Sequence, residues 1–155
     1  MTTAIQILVD ADACPVKDEI YRVADRHQVA VVIVSNSPFR VPDHPLFSRV
    51  VVSDAFDAAD DYVAERAGAR TIVVTSDILL ADRCVKAGAS VLGSNGKPFT
   101  ADSIGAAVAT RAIMADLRAG MGTETIGGPP PFSKADRSRF LSSLDEILVR
   151  MKRRG

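Results

Sequence analysis

Two apolar stretches frame the chain. Ile5 to Val9 is a nearly unbroken aliphatic run that ends in Asp10-Ala11-Asp12, and Thr71 to Thr75 is β-branched throughout and ends in Ser76-Asp77. Runs of this kind are too short for helices and read as parallel strands covered on both faces. Ala30 to Val34 has the same character and stops at Ser35-Asn36, while Val50 to Val52 and Val91-Leu92 predict two shorter strands.

Between these runs the apolar period changes to that of a helix. Ile20, Val23 and Ala24 give one face to a helix opening near Pro15, whose missing N–H suits a first turn. Phe56 to Ala67 with Gly68 as its stop, and Ile78 to Ala87 closed by Gly88, predict two more. Asp102 to Leu117 predicts a long Ala-rich helix that turns Ile104, Val108, Ile113 and Leu117 inward and ends at Gly120 and Gly122. Ser133-Lys134-Ala135-Asp136 has the form of a capping box with Asp in place of Glu, and Phe140, Leu144, Ile147, Leu148 and Met151 continue a final helix over 133–154.

Two segments fit neither pattern. Ser37 to Phe47 holds three prolines and reads as a loop. Residues 120–132, with Gly127-Gly128-Pro129-Pro130-Pro131, are too stiff and donor-poor for regular structure and read as a connection. Alternating strands and helices predict a three-layer α/β/α fold around a mainly parallel sheet of about five strands. The chain of 155 residues is long enough to bury its own core as one domain.

Composition narrows the partners. Formal net charge is zero, so no overall basic field draws in nucleic acid. From Lys134 onward, however, seven basic residues face three acidic ones. Cys14 and Cys84 are too few for a disulfide framework, and the expected setting is a reducing cytoplasm. No apolar stretch reaches the roughly 18 residues of a membrane span. Aromatic residues make up 5% of the chain and Trp is absent, so base stacking has few platforms.

Candidate chemistry lies where the strands end. Open α/β sheets bind ligands outside the carboxyl ends of their strands, which predicts one crevice for Asp10, Asp12 and Asp77. Asp57 and Asp60 share a helical face at i, i+3, and a helix starting at that edge would turn its first residues toward the same crevice. Carboxylates within about 4 Å of one another repel by several kcal/mol, so the cluster calls for a cation or bound protons. Oxygen-only ligands favour Mg²⁺ or Mn²⁺, as one or two ions. The chemistry best served is phosphodiester hydrolysis, with the ion activating water and stabilising the phosphoryl oxygens and leaving group.

Each residue also has a plainer role. Asp54, Asp57 and Asp77 suit helix N-caps, and Asp82 suits a solvated helix face. Cys14, at a helix start, reads as a packed thiol, and His27 and His44 as surface or loop residues. Ser35, Asn36, Arg40, Lys134 and Arg137 are candidate contacts to a phosphate backbone, against turn formation and solvated charge as the alternatives.

With these residues in view, the chain resembles the YaiI/YqxD family. The motifs are Asp10-Ala11-Asp12-Ala13-Cys14-Pro15, Arg40-Val41-Pro42, Phe56-Asp57-Ala58-Ala59-Asp60, Thr75-Ser76-Asp77-Ile78-Leu79-Leu80-Ala81, Gly127-Gly128-Pro129, and Asp136-Arg137 with Phe140. The resemblance implies a PIN-like nuclease fold and a divalent-metal nuclease acting on RNA or single-stranded nucleic acid. By it Asp10, Asp12, Asp57, Asp60 and Asp77 are the site residues, and Asp61 and Asp82 are not required. A phosphatase of the haloacid dehalogenase type would use Asp10 as nucleophile and Asp12 as general acid, but needs a lysine that Ser37 to Arg70 does not contain. A third expectation is a catalytically silent PIN-like module that binds nucleic acid or protein.

Overall fold

The computed structural model describes residues 4–11, 14–38, 40–55, 57–121 and 132–154, without the side chains of 111, 112 and 114–121. Asp12 and the Gly127 to Pro131 segment lie outside the described residues. The elements, in order, are β1 (Gln6–Asp10), α1 (Lys17–His27), β2 (Ala30–Ser35), β3 (Phe47–Val51), α2 (Ala58–Arg66), β4 (Thr71–Val74), α3 (Ile78–Lys86), β5 (Ser90–Leu92), β6 (Pro98–Phe99), α4 (Ala101–Met121) and α5 (Lys134–Arg153).

They build one six-stranded sheet in the order β3-β2-β1-β4-β5-β6. Every pair is parallel except β5 with β6. Because side chains alternate along a strand, β1 feeds two cores. Ile7 and Val9 join α1 and α5 on one face, and Leu8 joins α2, α3 and Ile104 of α4 on the other. The result is a three-layer α/β/α sandwich. Its strand order reverses between β1 and β4, and such a switch point opens a crevice at the carboxyl edge.

The final helix is held as the pattern predicts. Ser133 accepts from the Asp136 amide, and Asp136 accepts from the Ser133 amide, closing the capping box. Phe140, Leu144, Ile147, Leu148 and Met151 are all buried. The turn after β5 seats against this helix, with Ser143 Oγ donating to the Gly96 carbonyl at 2.8 Å. Gly96 has φ +83°, and a Cβ there would meet the backbone of Arg139 and Phe140 at 2.5 Å.

Several expectations change. The third strand is Phe47–Val51 rather than Val50 to Val52, because as an edge strand paired with β2 alone it carries exposed residues within it. A sixth strand, of two residues, adds antiparallel at the far edge. In α4 only Ile104 of the described apolar set is buried; Val108 and Ile113 are exposed, since the helix packs on α3 through its beginning. That helix also runs through Gly120, and Gly68 takes no positive φ, whereas Gly88 does. His27 is no surface residue: its Nε2 sits 2.6 Å from Asp145 Oδ1 between α1 and α5. Among the described residues, no helix is long and apolar enough to cross a membrane.

Candidate functional site

At the carboxyl edge, four separate segments converge on one cleft of about 940 Å³. Asp10 ends β1, Asn36 follows β2, Ser53 to Ala55 and Asp57 to Asp60 lead from β3 into α2, and Ser76 to Leu80, with Arg83, lead from β4 into α3. Among the lining residues are Asp10, Asp54, Asp57, Asp60 and Asp77. The convergence follows from parallel pairing, since β1 is flanked by β2 and β4 in register and all three must exit at the same edge.

Thr75 joins the two central acids. Its hydroxyl donates to Asp10 Oδ2 at 2.9 Å and accepts from the Asp77 amide at 3.0 Å. The residue is buried, so this bridge is shielded from water and fixes the spacing of the strand exits. Asp77 in turn caps α3, with Oδ1 accepting from the Leu79 amide at 2.9 Å and the Leu80 amide at 3.3 Å. Its plainer role is therefore present alongside its place in the cleft.

Asp57 behaves differently. It occupies the N-cap position of α2 with φ 65°, yet its side chain caps nothing. A left-handed non-glycine residue is uncommon, although Asp tolerates it better than most. The carboxylate thus stands at the rim without the hydrogen bond that usually accounts for an N-terminal Asp.

Asp60 reports the electrostatics. Burial, then the charges of Asp77, Asp10 and Asp57, push its carboxyl up to about 6, with Arg83 pulling slightly the other way. Like charges in a shared cleft disfavour ionisation of one another. A divalent cation would relieve that repulsion, and hard carboxylate oxygens are the donors Mg²⁺ and Mn²⁺ prefer. Among the described residues, no three His, Cys, Asp or Glu side chains come together tightly enough to hold one ion directly.

The remaining candidates separate. Asn36 lines the cleft, whereas Ser35 is buried and its Oγ accepts from the Ser37 amide at 3.0 Å. Arg40 lines a second groove of about 520 Å³ with His44 and Arg49. Arg137 reaches α1, donating to the Pro15 carbonyl at 2.7 Å and to Glu19 Oε1 at 3.1 Å. Lys134 is exposed at the start of α5. Asp61 pairs with Arg83 at 2.9 Å and Asp82 with Lys86 at 2.9 Å, so both have partners of opposite charge. Cys14 is partly buried, and desolvation pushes its thiol up, away from reactivity.

Sequence reasoning missed Thr75, Leu79 and Arg83. The hydroxyl at the last position of an otherwise aliphatic run was the available signal for Thr75. Nothing in the sequence distinguishes Arg83 from an ordinary basic residue near a helix end.

Strand order, switch point and cleft together define a doubly wound α/β protein with carboxylates lining the crevice at its switch point. The chain belongs to the YaiI/YqxD family: the model for the family described as "Uncharacterized BCR, YaiI/YqxD family" matches residues 8–150. It is 76% identical over 147 residues to a UPF0178 protein of Sphingopyxis alaskensis, covering 95% of each chain. A UPF0178 protein of Nitrobacter winogradskyi is 59% identical over 151 residues, covering 97% of this chain and 95% of the relative. One from Jannaschia sp. is 59% identical over 146 residues, covering 94% of each. No solved structure matches the chain.

Proposed function

We propose that this protein is a divalent-metal-dependent phosphodiesterase that cleaves RNA or another single-stranded nucleic acid in the cleft between β1, β4 and α2. The observation that carries the reading is the convergence of Asp10, Asp77 and the Asp57–Asp60 pair from three places in the chain, where burial and then the neighbouring charges raise the proton affinity of Asp60. Structural capping accounts for Asp77 alone of these. The resemblance to PIN-like nucleases supports the same class of reaction.

In this reading Asp10, Asp60 and Asp77 would hold one or two Mg²⁺ or Mn²⁺ ions directly or through water, with Asp57 in support, and Asp12 belongs to the set by its place in the motif. A bound ion of this kind supplies Lewis-acid polarisation of the phosphoryl group and a more acidic water. Thr75 keeps Asp10 oriented by its hydroxyl, so the carboxylate needs little reorganisation when an ion binds. Asn36, also in the cleft lining, offers an amide to a phosphate or sugar oxygen.

The test is cleavage of a labelled single-stranded RNA with Mn²⁺ or Mg²⁺, and its abolition by chelator. Asp10→Asn and Asp77→Asn should each lower the rate by more than about 100-fold, beyond the usual loss of an outer-shell partner. Asn caps a helix about as well as Asp, so Asp77→Asn removes the charge and keeps the α3 cap. Full activity in that variant would mean that Asp77 serves only as a cap. Release of phosphate from small monoesters in place of strand cleavage would favour the phosphatase. RNA binding unaffected by either substitution, with no cleavage, would leave a binding module.

A further inference from the structure

The cleft has two unlike walls. One carries Asp10, Asp57 and Asp60; the other, α3 with its N-cap Asp77, adds Ile78, Leu79 and Arg83. Arg83 is the one basic side chain among the described residues lining the cleft, and Leu79 is 60% exposed although it sits in the first turn of a packed helix. Arg83 pairs with Asp61 at 2.9 Å, but both side chains are about half exposed, 45% and 55%. An ion pair that open to solvent is weak, so a phosphate can take the guanidinium at little cost.

We propose that the α3 wall seats the nucleotide next to the cleavage point of a single-stranded nucleic acid, Arg83 binding its phosphate and Leu79 packing against its base or sugar. This rests on the reading of the acid wall as a phosphodiester site. A strand is a series of nucleosides with a phosphate on either side, and the cleft lining holds each kind of group such a unit calls for: carboxylates for a cation, an exposed aliphatic side chain and a guanidinium. Guanidinium donors suit phosphate oxygens in a forked arrangement that an ammonium does not reproduce. The charge of Arg83 reaches the acid wall, since it opposes the upward push on Asp60. An aliphatic platform contributes contact with any base and reads no sequence, in keeping with the absence of Trp.

The experiment is fluorescence anisotropy of the full chain with a short labelled oligouridylate, using Ca²⁺ in place of the catalytic ion, across a series of salt concentrations. Arg83→Ala should weaken binding roughly tenfold and reduce the slope of log K against log salt by about 0.7, the share of one phosphate contact on a single strand. Arg83→Lys should restore the slope and part of the affinity, because it keeps the charge and loses the fork. Leu79→Ser should weaken binding about threefold or more without moving the slope. An Arg83→Ala protein with an unchanged slope, or a native chain that does not hold the oligomer, overturns the proposal. Cleavage assays on the same proteins keep the two readings apart. Slope loss in Arg83→Ala without turnover by the native chain sustains the Arg83 and Leu79 contacts to the strand and removes the cleavage point beside them; turnover with an unchanged slope sustains the enzyme and removes the α3 seat.

Discussion

The α1–α5 layer and the α2–α3 edge are both rich in charge, and they use it in opposite ways. Across the first, His27 meets Asp145 at 2.6 Å, Arg137 meets Glu19 at 3.1 Å, Lys152 donates to the His27 carbonyl at 2.6 Å and Arg70 donates to the Met151 carbonyl at 2.9 Å. These contacts join opposite charges or a donor to an acceptor, and they tie elements more than 80 residues apart in sequence. At the second, Asp10, Asp54, Asp57, Asp60 and Asp77 crowd one cleft with Arg83 as their sole basic companion among the described lining residues. Charge by itself therefore marks no site. Like charge brought together by the fold does, because its repulsion opposes folding and is retained for something other than stability.

Gly96 gives the largest expected effect and tests the first region. Gly96→Ala forces a Cβ into the backbone of Arg139 and Phe140 at 2.5 Å in a residue with φ +83°. Relief requires α5 to move off the turn after β5, so the substitution should destabilise the protein by about 3 kcal/mol, read as a lower urea midpoint with an unchanged slope.

Asp60→Asn should act in the opposite direction in chelator. With its carboxyl raised to about 6, Asp60 keeps its proton in the folded chain at pH values where the unfolded chain has lost it. Stability is unaffected below the ordinary carboxyl range, falls as pH rises from about 3.9, and bears the full penalty above about 6. Asp60→Asn removes that penalty and should raise stability at pH 8 by about 1 kcal/mol, allowing for solvent around a partly buried group, with little change at pH 4. Added Mn²⁺ should reverse the ranking, since an ion that binds only the folded form raises the melting temperature of the native chain at pH 8 and gives the variant less. Equal melting curves with and without Mn²⁺ would remove the cation from the account.

Asp145→Asn is the matching change on the other face. The hydrogen bond from His27, then the nearby Arg26 and His27 charges, hold the Asp145 carboxyl below the usual range. Its contribution is present above the unfolded carboxyl pKa and disappears as pH falls through the lower, folded one. The substitution should cost about 1 kcal/mol at pH 7 and less in acid. Two aspartates changed to asparagine, with stability moving in opposite senses at neutral pH, would separate the two uses of charge; movement in the same sense would erase the distinction.

What the sequence reveals of the fold and the cleft depends on how local each signal is. Buried strands such as Ile5 to Val9 and Thr71 to Val74 announce themselves by continuous aliphatic residues, and parallel pairing then places Asp10 and Asp77 at one edge. The α5 capping box and its apolar spacing are likewise written within a few turns. Phe47–Val51 is an edge strand whose exposed Ser48 and Arg49 break the apolar run, and Pro98–Phe99 is too short to leave a pattern. The outward side of α4 was misread because its apolar residues recur at helical spacing whether or not a layer covers them. His27 and Arg137 have partners 118 residues away, and no local reading finds those. Thr75 hid in plain view, as threonine is an ordinary strand residue until its hydroxyl is seen between two acids.

Asp57 offers the smallest and most discriminating comparison, because at one residue it sets conformational cost against charge. Its φ of 65° is a conformation that glycine adopts freely and aspartate does not, and its side chain contributes no cap in return. Asp57→Gly should therefore stabilise the ion-free protein by about 0.5 kcal/mol, through easier backbone geometry and one carboxylate fewer at the rim, offset in part by the greater freedom of glycine when unfolded. Asp57→Asn keeps the side-chain volume and tolerates the left-handed conformation about as well, so it isolates the charge. If both variants weaken the Mn²⁺ stabilisation of the native chain by the same amount, the carboxylate is what the strained backbone holds in place. If only Asp57→Gly weakens it, the shape of the α2 entry matters and the charge does not. If neither does, Asp57 plays no part in holding a cation.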